Sequence, residues 1–201
     1  MKKIFTFLLS ALMIFTLTAC GASGEEKVSS EPAETNSTKS PDKKFLVAYF
    51  SCTDTTKKLA EYAAEVLDAD LYEIKPEVPY TSEDLNWHDE TTRATVEQHD
   101  EKARPNLADK NANVANYETV VIAYPIWWGQ APRIIDTFVE SYDFSGKNLV
   151  PICTSGGSDI GSSADYLKSL TNGNAIWHQG KSFFKNFSED DLKKYFDDLK
   201  L

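Results

Sequence analysis

The sequence is poor in the residues on which most metal and nucleophile chemistry depends. Its 201 residues include three cysteines and three histidines, which are His88, His99 and His178. None of the histidines stands in a recognisable metal-ligand or triad pattern, so we predict no metal site and no Ser/His/Asp or Cys/His hydrolase. His88 follows Trp87 and could approach a substrate, but a surface position is the preferred interpretation for each of the three histidines.

Positive charge is also scarce. Asp and Glu number 31 against 21 Lys and Arg, which gives a formal net charge of −10. This balance argues against nucleic acid, or an anionic membrane surface, as a partner of the folded part. An acidic face would suit a basic partner, but many acidic proteins are simply soluble. The length is that of one domain with appendages, and there are no internal repeats.

The apolar run near the N-terminus, Ile4 to Leu17, is too short to span a bilayer comfortably. It ends in Leu-Thr-Ala-Cys20, which resembles the bacterial lipobox, where a peptidase cuts before a lipid-modified cysteine. An uncleaved anchor helix, or a chance cysteine behind an ordinary signal peptide, is the alternative. We predict a lipoprotein signal peptide over residues 1–19, lipidation of Cys20, and an extracytoplasmic, membrane-anchored bacterial lipoprotein that meets the membrane only through this lipid anchor.

A polar segment separates this anchor from the folded domain. Residues 20–44 are rich in Ser, Glu, Thr, Pro and Lys and offer almost nothing to bury. Such a composition is typical of a disordered tether. The domain itself is expected over residues 45–201, and it holds the two remaining cysteines, Cys52 and Cys153.

Apolar runs alternate with helical spacing along this domain. Strands are predicted at residues 45–50, 70–74, 119–125, 148–154 and 175–183. Helices are predicted at residues 55–67, behind Pro132, through Tyr166 to Leu170, and after a capping box at Ser188. This alternation predicts an α/β fold with a parallel sheet between helices. Residues 77–115 interrupt it as a long insert, helical from Thr91 to Ala103, and such connections are often lids or binding loops.

Three loops are predicted to leave the carboxyl ends of strands, where doubly wound sheets bind ligands. The first, Ser51-Cys-Thr-Asp-Thr-Thr56, opens a helix with hydroxyl groups and unpaired backbone N–H groups, which favours a phosphate over an ordinary capped turn. Lys57 and Lys58 in the first helical turn oppose the helix dipole and are easier to explain beside an anion.

The other two loops suit a flat ring. Two adjacent tryptophans in Tyr124-Pro-Ile-Trp-Trp-Gly129 cannot both lie in one core layer, so either they wall a conjugated ring or one is core and the other caps the sheet. Thr154-Ser-Gly-Gly-Ser-Asp-Ile-Gly161 allows close backbone approach and offers donors to a polar ring edge.

Together these loops, within Phe45 to Phe183, resemble the flavodoxin-like family, specifically the FMN-binding branch of bacterial lipoproteins and small reductases. The resemblance implies a five-stranded parallel sheet in the order 2-1-3-4-5 and FMN as cofactor. It also implies the residues that would hold FMN, which are Ser51, Thr53, Asp54, Thr55, Thr56, Pro125, Ile126, Trp127, Trp128, Gly129, Thr154, Ser155, Gly156 and Gly157. One departure is Asp54, where the family commonly has glycine.

The implied strand order bears on the cysteines. Strand three would separate Cys52 from Cys153 by about 9–10 Å, beyond the roughly 7 Å limit for a disulfide, so no bond is expected.

The resemblance implies a redox protein that transfers electrons, or reduces a small acceptor such as a quinone, between an unknown donor and an unknown acceptor. A carrier would expose the ring edge to a docking partner. A reductase would roof the ring with the insert around Trp87, His88, Arg93 and Arg104, and the Pro-Ile-Trp-Trp-Gly loop favours this form. A non-catalytic or degenerate FMN-binding module is the alternative, and Asp54 is its best support.

Overall fold

The computed structural model describes residues 44–201. The predicted signal peptide, the lipidated Cys20 and the tether up to residue 43 lie outside the described residues.

Six strands, five α-helices and one 3₁₀ turn alternate along the described chain. The strands are β1 (Phe45–Tyr49), β2 (Asp70–Glu73), β3 (Thr119–Pro125), β4 (Asn148–Thr154), β5 (Ile176–Trp177) and β6 (Lys181–Phe183). The helices are α1 (Thr55–Leu67), α2 (Arg93–His99), α3 (Arg133–Ser141), α4 (Ser163–Leu170) and α5 (Glu189–Leu199), with the 3₁₀ turn at Val114–Asn116.

The sheet is parallel and has the order β2-β1-β3-β4-β5, with β6 also paired to β4. This confirms the predicted α/β fold and strand order. β3 lies at the centre, and every residue of it but Pro125 is buried, because helices cover both faces of the sheet. One apolar cluster lies on the α3 and α4 face, and the second lies on the face covered by α1 and α5.

The predicted fifth strand, residues 175–183, is wrong as a single element, because the structure divides it into β5 and β6. Leu149 pairs with Trp177 and Ile152 pairs with Lys181. A spacing of three residues in β4 thus lies opposite a spacing of four residues in the predicted fifth strand. One extra residue therefore bulges out of the ladder.

Pro151 explains where the ladder breaks. The carbonyl oxygen of Leu149 accepts the backbone N–H of His178, so alternate residues of β4 face the fifth strand. Pro151 is the next residue to face that way, and it has no N–H to donate.

The two ends of the insert pair with each other where the chain leaves and re-enters the sheet layer. The N–H of Glu77 donates to the carbonyl of Asn106, and the N–H of Ala108 donates to the carbonyl of Lys75. Its helix α2 begins at Arg93 and is shorter than the predicted 91–103. The predicted capping box at Ser188 is present, because its hydroxyl accepts the N–H of Asp191 while the Asp191 carboxylate accepts the N–H of Ser188.

The described residues also answer two questions about the cysteines and about membrane-spanning helices. Cys52 and Cys153 are both free thiols, and β3 separates the strands that precede and carry them. Within residues 44–201, no helix has both the length and the apolar character needed to cross a membrane.

Candidate functional site

A cavity of about 620 Å³ opens at the carboxyl edge of the sheet, where the loops after β1, β3 and β4 meet. Its walls are mainly apolar, with three threonines among them. This is the position in which doubly wound sheets bind their ligands. The residues that line it are Cys52, Thr53, Thr56, Leu85, Trp87, Ala94, Pro125, Ile126, Trp127, Trp128, Thr154 and Gly156.

The first wall is the loop that enters α1. Asp54 is the N-cap residue and has a left-handed backbone conformation, with φ 60° and ψ −5°. Glycine adopts this conformation most easily, and Asp and Asn are among the few other residues that tolerate it. The conformation lets the chain turn sharply into α1, and it explains why a glycine would serve at this position.

This turn leaves backbone donors at the helix N-terminus. Within residues 44–201, no acceptor receives the backbone N–H groups of Thr53, Asp54, Thr55, Thr56 or Lys57, and the first bond of the turn is from the Lys58 N–H to the Asp54 carbonyl. Free N–H groups and the positive end of the helix dipole form an anion site.

The hydroxyl groups of this loop have different surroundings. Thr53 and Thr55 are exposed, and Thr53 lines the cavity. Ser51 Oγ is buried and has no hydrogen-bond partner. A buried hydroxyl without a partner is costly, so the loop is poised to gain contacts.

A buried hydrogen bond joins the first and third loops. Thr56 Oγ1 lies 2.7 Å from Thr154 Oγ1, where the first turn of α1 meets the end of β4. Both residues line the cavity. The bond therefore fixes the spacing between the anion site and the β4 edge of the cavity.

The loop after β3 is a tight reverse turn. The N–H of Trp127 donates to the carbonyl of Gln130, and the N–H of Gln130 donates back to the carbonyl of Trp127. Trp128 and Gly129, at the centre of the turn, have φ values of 46° and 78°. Two successive positive φ values are typical of a type I′ turn, in which a tryptophan is strained.

The two tryptophans of this turn have different environments. The ring of Trp127 packs edge-on against Phe50 at 5.6 Å and against Tyr80 at 5.5 Å between centroids. Trp128 is 41% exposed and meets His99 edge-on at 5.8 Å. Both alternatives from the sequence therefore hold in part, because Trp127 joins the core while both rings line the cavity.

The third loop organises itself around one serine. Ser155 Oγ accepts the backbone N–H groups of Gly157 and Ser158 and lies 2.8 Å from Ser158 Oγ. This local network shapes the backbone at Gly156, which lines the cavity. The side chain of Ser155 thus orders the loop to which it belongs.

The insert forms the fourth wall of the cavity, through Leu85, Trp87 and Ala94. Trp87 is 63% exposed, so most of its ring area lies open at the cavity mouth. The expectation that the insert roofs the site through Trp87 agrees with this arrangement. His88 stacks on Trp87, with 3.5 Å between ring centroids, and does not itself line the cavity.

The insert residues that line the cavity, Leu85, Trp87 and Ala94, are called the roof. Two ion-pair networks hold the roof in place. In the first, Arg93 Nε lies 2.6 Å from Glu97 Oε1, its guanidinium lies over the ring of Tyr80, and the Tyr80 hydroxyl donates to Glu97. Arg93 also donates to the carbonyl of Val78. The predicted role of Arg93 in the cavity is therefore indirect, because its charge is used inside the roof.

The second network ties α2 to α3. Arg133 donates to the carbonyl of Gln98 and to Asp136 Oδ2, and the amide of Gln98 donates to the carbonyl of Ala131. Asp136 has no exposed surface, and this burial raises its pKa to about 6 although Arg133 and Arg104 oppose the rise. Arg104 pairs with Glu140 here, away from the cavity lining.

The structure brings most of the predicted site residues together. Eight of them line the cavity, which are Thr53, Thr56, Pro125, Ile126, Trp127, Trp128, Thr154 and Gly156. Asp54 and Thr55 line a second cavity that shares Thr53 with the first. Ser51, Gly129, Ser155 and Gly157 line neither cavity. Ser155 and Gly157 take part in the hydrogen bonds that order the third loop, and Gly129 lies in the turn after β3.

Sequence reasoning did not assign three of the lining residues to the site, which are Cys52, Leu85 and Ala94. Leu85, Trp87 and Ala94 belong to the insert, whose pattern indicated a lid without naming the contact residues except Trp87. Cys52 lies inside the phosphate loop and faces the cavity, where burial raises the pKa of its thiol to about 12. A thiol with so high a pKa stays protonated, so Cys52 supplies an apolar surface rather than a nucleophile.

The donor set fits the group that the family resemblance implies. A phosphate needs N–H and hydroxyl donors, which the loop before α1 supplies. A flat conjugated ring needs apolar and aromatic walls, which Ile126, Trp127, Trp128 and Trp87 supply. These two surfaces share one cavity, as a mononucleotide with a large ring requires.

Comparison with known proteins agrees with this geometry. The family model described as Flavodoxin matches residues 44–199. A candidate flavoprotein from Bacteroides eggerthii is 43% identical, with 79% of this chain and 98% of that chain covered and a TM-score of 0.74. A second candidate flavoprotein, from Bacteroides uniformis, is 42% identical, with 77% and 97% covered and a TM-score of 0.70.

A more distant structure shares the fold. A flavoprotein in complex with FMN from Lactobacillus acidophilus is 22% identical, with 79% of this chain and 99% of that chain covered and a TM-score of 0.58. The comparison with curated proteins gives no match.

Proposed function

The chain belongs to the flavodoxin family, and from this we propose that it is a membrane-tethered FMN-dependent oxidoreductase that reduces a small planar acceptor such as a quinone. The family assignment and the FMN complex of the Lactobacillus protein support FMN as the cofactor. When bound, FMN supplies transfer of electrons or hydride at its ring system. The protein supplies the binding site, the orientation of the ring and access to it.

The observation that carries the proposal is the roof over the cavity. Trp87 and Leu85 from the insert face the same space as Trp127 and Trp128. A carrier that docks on other proteins would need the ring edge bare, whereas a roofed pocket suits a small acceptor that enters beside the ring. This favours a reductase over a carrier.

The chain's own residues would divide the work. The N–H groups and hydroxyls from Thr53 to Thr56 hold the phosphate, and the Thr56–Thr154 bond keeps that site at a fixed distance from the ring pocket. Trp127 is fixed by its packing on Phe50 and Tyr80, so it forms a rigid wall. Trp128 and Trp87 are exposed enough to contact an incoming acceptor.

The alternative is a non-catalytic or degenerate FMN-binding module, suggested by Asp54. The left-handed conformation at this residue argues against degeneration, because the turn that a glycine would make is kept. Asp is among the residues that adopt it at modest cost. The substitution leaves the shape of the phosphate loop intact and changes only its charge.

The tether belongs to the same proposal. It is supported by the Leu-Thr-Ala-Cys20 sequence at the end of a short apolar run and by the polar segment that follows. Two or three acyl chains would hold the protein durably on a membrane, and the flexible segment would let the domain reach partners at its surface.

The test is anaerobic reduction of the purified protein loaded with FMN. NADH, NADPH and dithionite are added in turn while the flavin absorption is followed, and a soluble benzoquinone is then added to the reduced protein. Bleaching by a nicotinamide nucleotide, followed by rapid return of the absorption with the quinone, is the expected result. A protein that binds no flavin, or that is reduced only by dithionite and not reoxidised by the quinone, would contradict the proposal.

A matched pair of variants tests the roof. Trp87→Ala removes a ring that lines the cavity, whereas Val96→Ala changes an exposed apolar residue on α2 that does not line it. We expect Trp87→Ala to raise the KM for the quinone and Val96→Ala to leave it unchanged. Equal KM values in the two variants would mean that the roof does not contact the acceptor.

A further inference from the structure

A second cavity, of about 450 Å³, adjoins the phosphate loop and contains positive charge. It shares Thr53 with the ring cavity and includes the next two residues of the loop, Asp54 and Thr55. Its remaining walls are Lys58, Lys185, Asn186 and Phe187. Nothing in the local sequence around the phosphate loop indicates the second of these lysines.

The fold explains why Lys185 reaches the phosphate loop. β6 pairs with the end of β4, with Phe183 opposite Thr154, so the chain leaves the sheet at the same edge as the ring cavity. The following loop then turns toward α1, where Phe187 packs edge-on against Tyr62 at 6.0 Å between ring centroids. Lys185 lies between these two fixed points.

The two lysines are not paired within the part of the chain that the structure describes. Neither Lys58 nor Lys185 forms an ion pair there, although Lys193 and Lys194 on the neighbouring helix α5 both do. The ammonium group of Lys58 lies 5.3 Å from the centre of the Tyr62 ring. Asp54 lines the same cavity but is not within ion-pair distance of either lysine.

Two ammonium groups that face one cavity repel each other unless an anion lies between them. Lys58 has a second unfavourable term, because it lies in the first turn of α1, where the helix dipole disfavours a cation. A dianionic phosphate at the loop would reduce the repulsion between the two lysines and the unfavourable interaction of Lys58 with the helix dipole. The two lysines would in turn offset the repulsion between that phosphate and Asp54.

We propose that Lys58 and Lys185 form a cationic clamp on the phosphate of FMN, with Lys185 brought to it by the loop between β6 and α5. The inference rests on the proposed function, since it assumes that FMN binds here. The clamp makes recognition of the phosphate ester part of cofactor choice, so that the protein distinguishes FMN from riboflavin. Asp54 weakens this recognition and the two lysines restore it.

The experiment measures binding of FMN and of riboflavin to the purified full-length apoprotein, from the quenching of flavin fluorescence at low and high ionic strength. The variants are Lys58→Gln and Lys185→Gln, with Lys193→Gln as the control, because Lys193 is an exposed lysine that pairs with Asp197 on α5. We expect each clamp variant to lose about five- to tenfold in FMN affinity at low salt and less at high salt. Riboflavin affinity, and both affinities of the control, should not change.

Stability measurements separate the clamp from a folding defect. Lys58→Gln removes an unfavourable charge from the first turn of α1, so the apoprotein should unfold at the same temperature or a slightly higher one. Lower FMN affinity without lower stability is the expected combination. Equal losses for FMN and riboflavin, or no loss for FMN, would overturn the clamp, whereas failure of the wild-type protein to bind any flavin would overturn the proposed function instead.

Discussion

Thr56 and Thr154 share a buried hydrogen bond of 2.7 Å between their hydroxyl oxygens, across 98 positions of the sequence. Thr56 lies in the first turn of α1 and Thr154 is the last residue of β4. β1 and β3 bring these two places together, because β3 lies between β1 and β4 in the sheet. The bond connects the loop that would hold the phosphate to the strand end that borders the ring pocket.

The first prediction concerns this bond. Thr56→Val or Thr154→Val leaves one buried hydroxyl without its partner, so each single change should lower the free energy of unfolding by about 1–3 kcal/mol. The double variant replaces both groups with apolar atoms of similar shape and should cost less than the sum of the singles. Urea unfolding of the four proteins gives the coupling free energy. Strict additivity would mean that the two hydroxyls do not interact in solution.

The second prediction separates the two tryptophans. Trp127→Ala should lower stability by about 2–4 kcal/mol because its ring packs on Phe50 and Tyr80. Trp128→Ala should leave stability nearly unchanged, since the ring is partly exposed and alanine keeps the Cβ atom in the same left-handed conformation. Both should weaken FMN binding, by about 1–3 kcal/mol for a lost stacking ring.

Fluorescence checks the same point. FMN binding should quench the tryptophan emission of the wild-type protein, and the quenching should fall in either variant. If Trp127→Ala and Trp128→Ala both bind FMN as tightly as the wild type, the turn serves only the fold.

Much of this arrangement was predictable from the sequence. Helix α1 and strands β3 and β4 have the predicted bounds, because their apolar periodicity and flanking turn residues agree with their burial. The three loops at the carboxyl edge are local motifs, so their residues could be assigned before their positions were known. The Ser188 capping box is equally local.

The remaining features depend on contacts between distant segments. The break in the fifth strand follows from Pro151, which lies in a different strand. The approach of Lys185 to the phosphate loop depends on the pairing of β6 with β4. The anchoring of α2 through Gln98 and Arg133 required the fold to place the insert beside α3. No local pattern of residues indicates such partners.

The third prediction concerns pH. Burial raises the pKa of Asp136 to about 6, and the charged groups that face it are Arg133, Arg104 and Glu140. A carboxyl with a raised pKa binds its proton more tightly in the folded state, so its contribution to stability is present below pH 4 and is lost as the pH rises through 6. Stability should therefore fall by about 2–3 kcal/mol over this range from this group alone.

Asp136→Asn should remove this dependence. Unfolding followed at several pH values between 4 and 7 compares the variant with the wild type. Asp143→Asn is the control, because the pKa of Asp143 is shifted in the opposite direction. Hydrogen bonds from Ser145 to the Asp143 carboxylate hold its pKa below the usual value. The contribution of Asp143 is present throughout pH 4 to 7 and is lost only as the pH falls below 4, so Asp143→Asn should keep the wild-type slope between pH 4 and 7. If Asp136→Asn and the wild type give parallel curves, Asp136 is ionised throughout this range.

The fourth prediction concerns the anchor. Cys20→Ala should abolish labelling of the protein by radioactive fatty acid and release it from the membrane fraction, because no thiol remains to form the thioether. Cys52→Ala is the matched control, since this cysteine belongs to the folded domain. It should be labelled normally. Unchanged labelling of the Cys20→Ala protein would refute lipidation at this residue.

The last prediction returns to Asp54, on which two physical effects act together. Its backbone has φ 60°, so Asp54→Gly removes the cost of a left-handed conformation, and stability should change little because glycine adds entropy to the unfolded chain. Its carboxylate also lies in the wall of the cavity that contains Lys58 and Lys185. At roughly 6 Å and an effective dielectric of about 20, repulsion from a phosphate charge is about 3 kcal/mol before screening. Exposure should reduce it to about 1–2 kcal/mol.

We therefore expect Asp54→Gly to bind FMN about tenfold more tightly at low salt, with a smaller gain at high salt. Asp54→Asn provides the control, because asparagine keeps a side chain that tolerates the left-handed conformation and removes only the charge. If repulsion is the cause, both variants should tighten FMN binding equally and leave riboflavin binding unchanged. Tighter binding in the glycine variant alone would assign the effect to the backbone, and no tightening in either would mean that the carboxylate faces away from the phosphate.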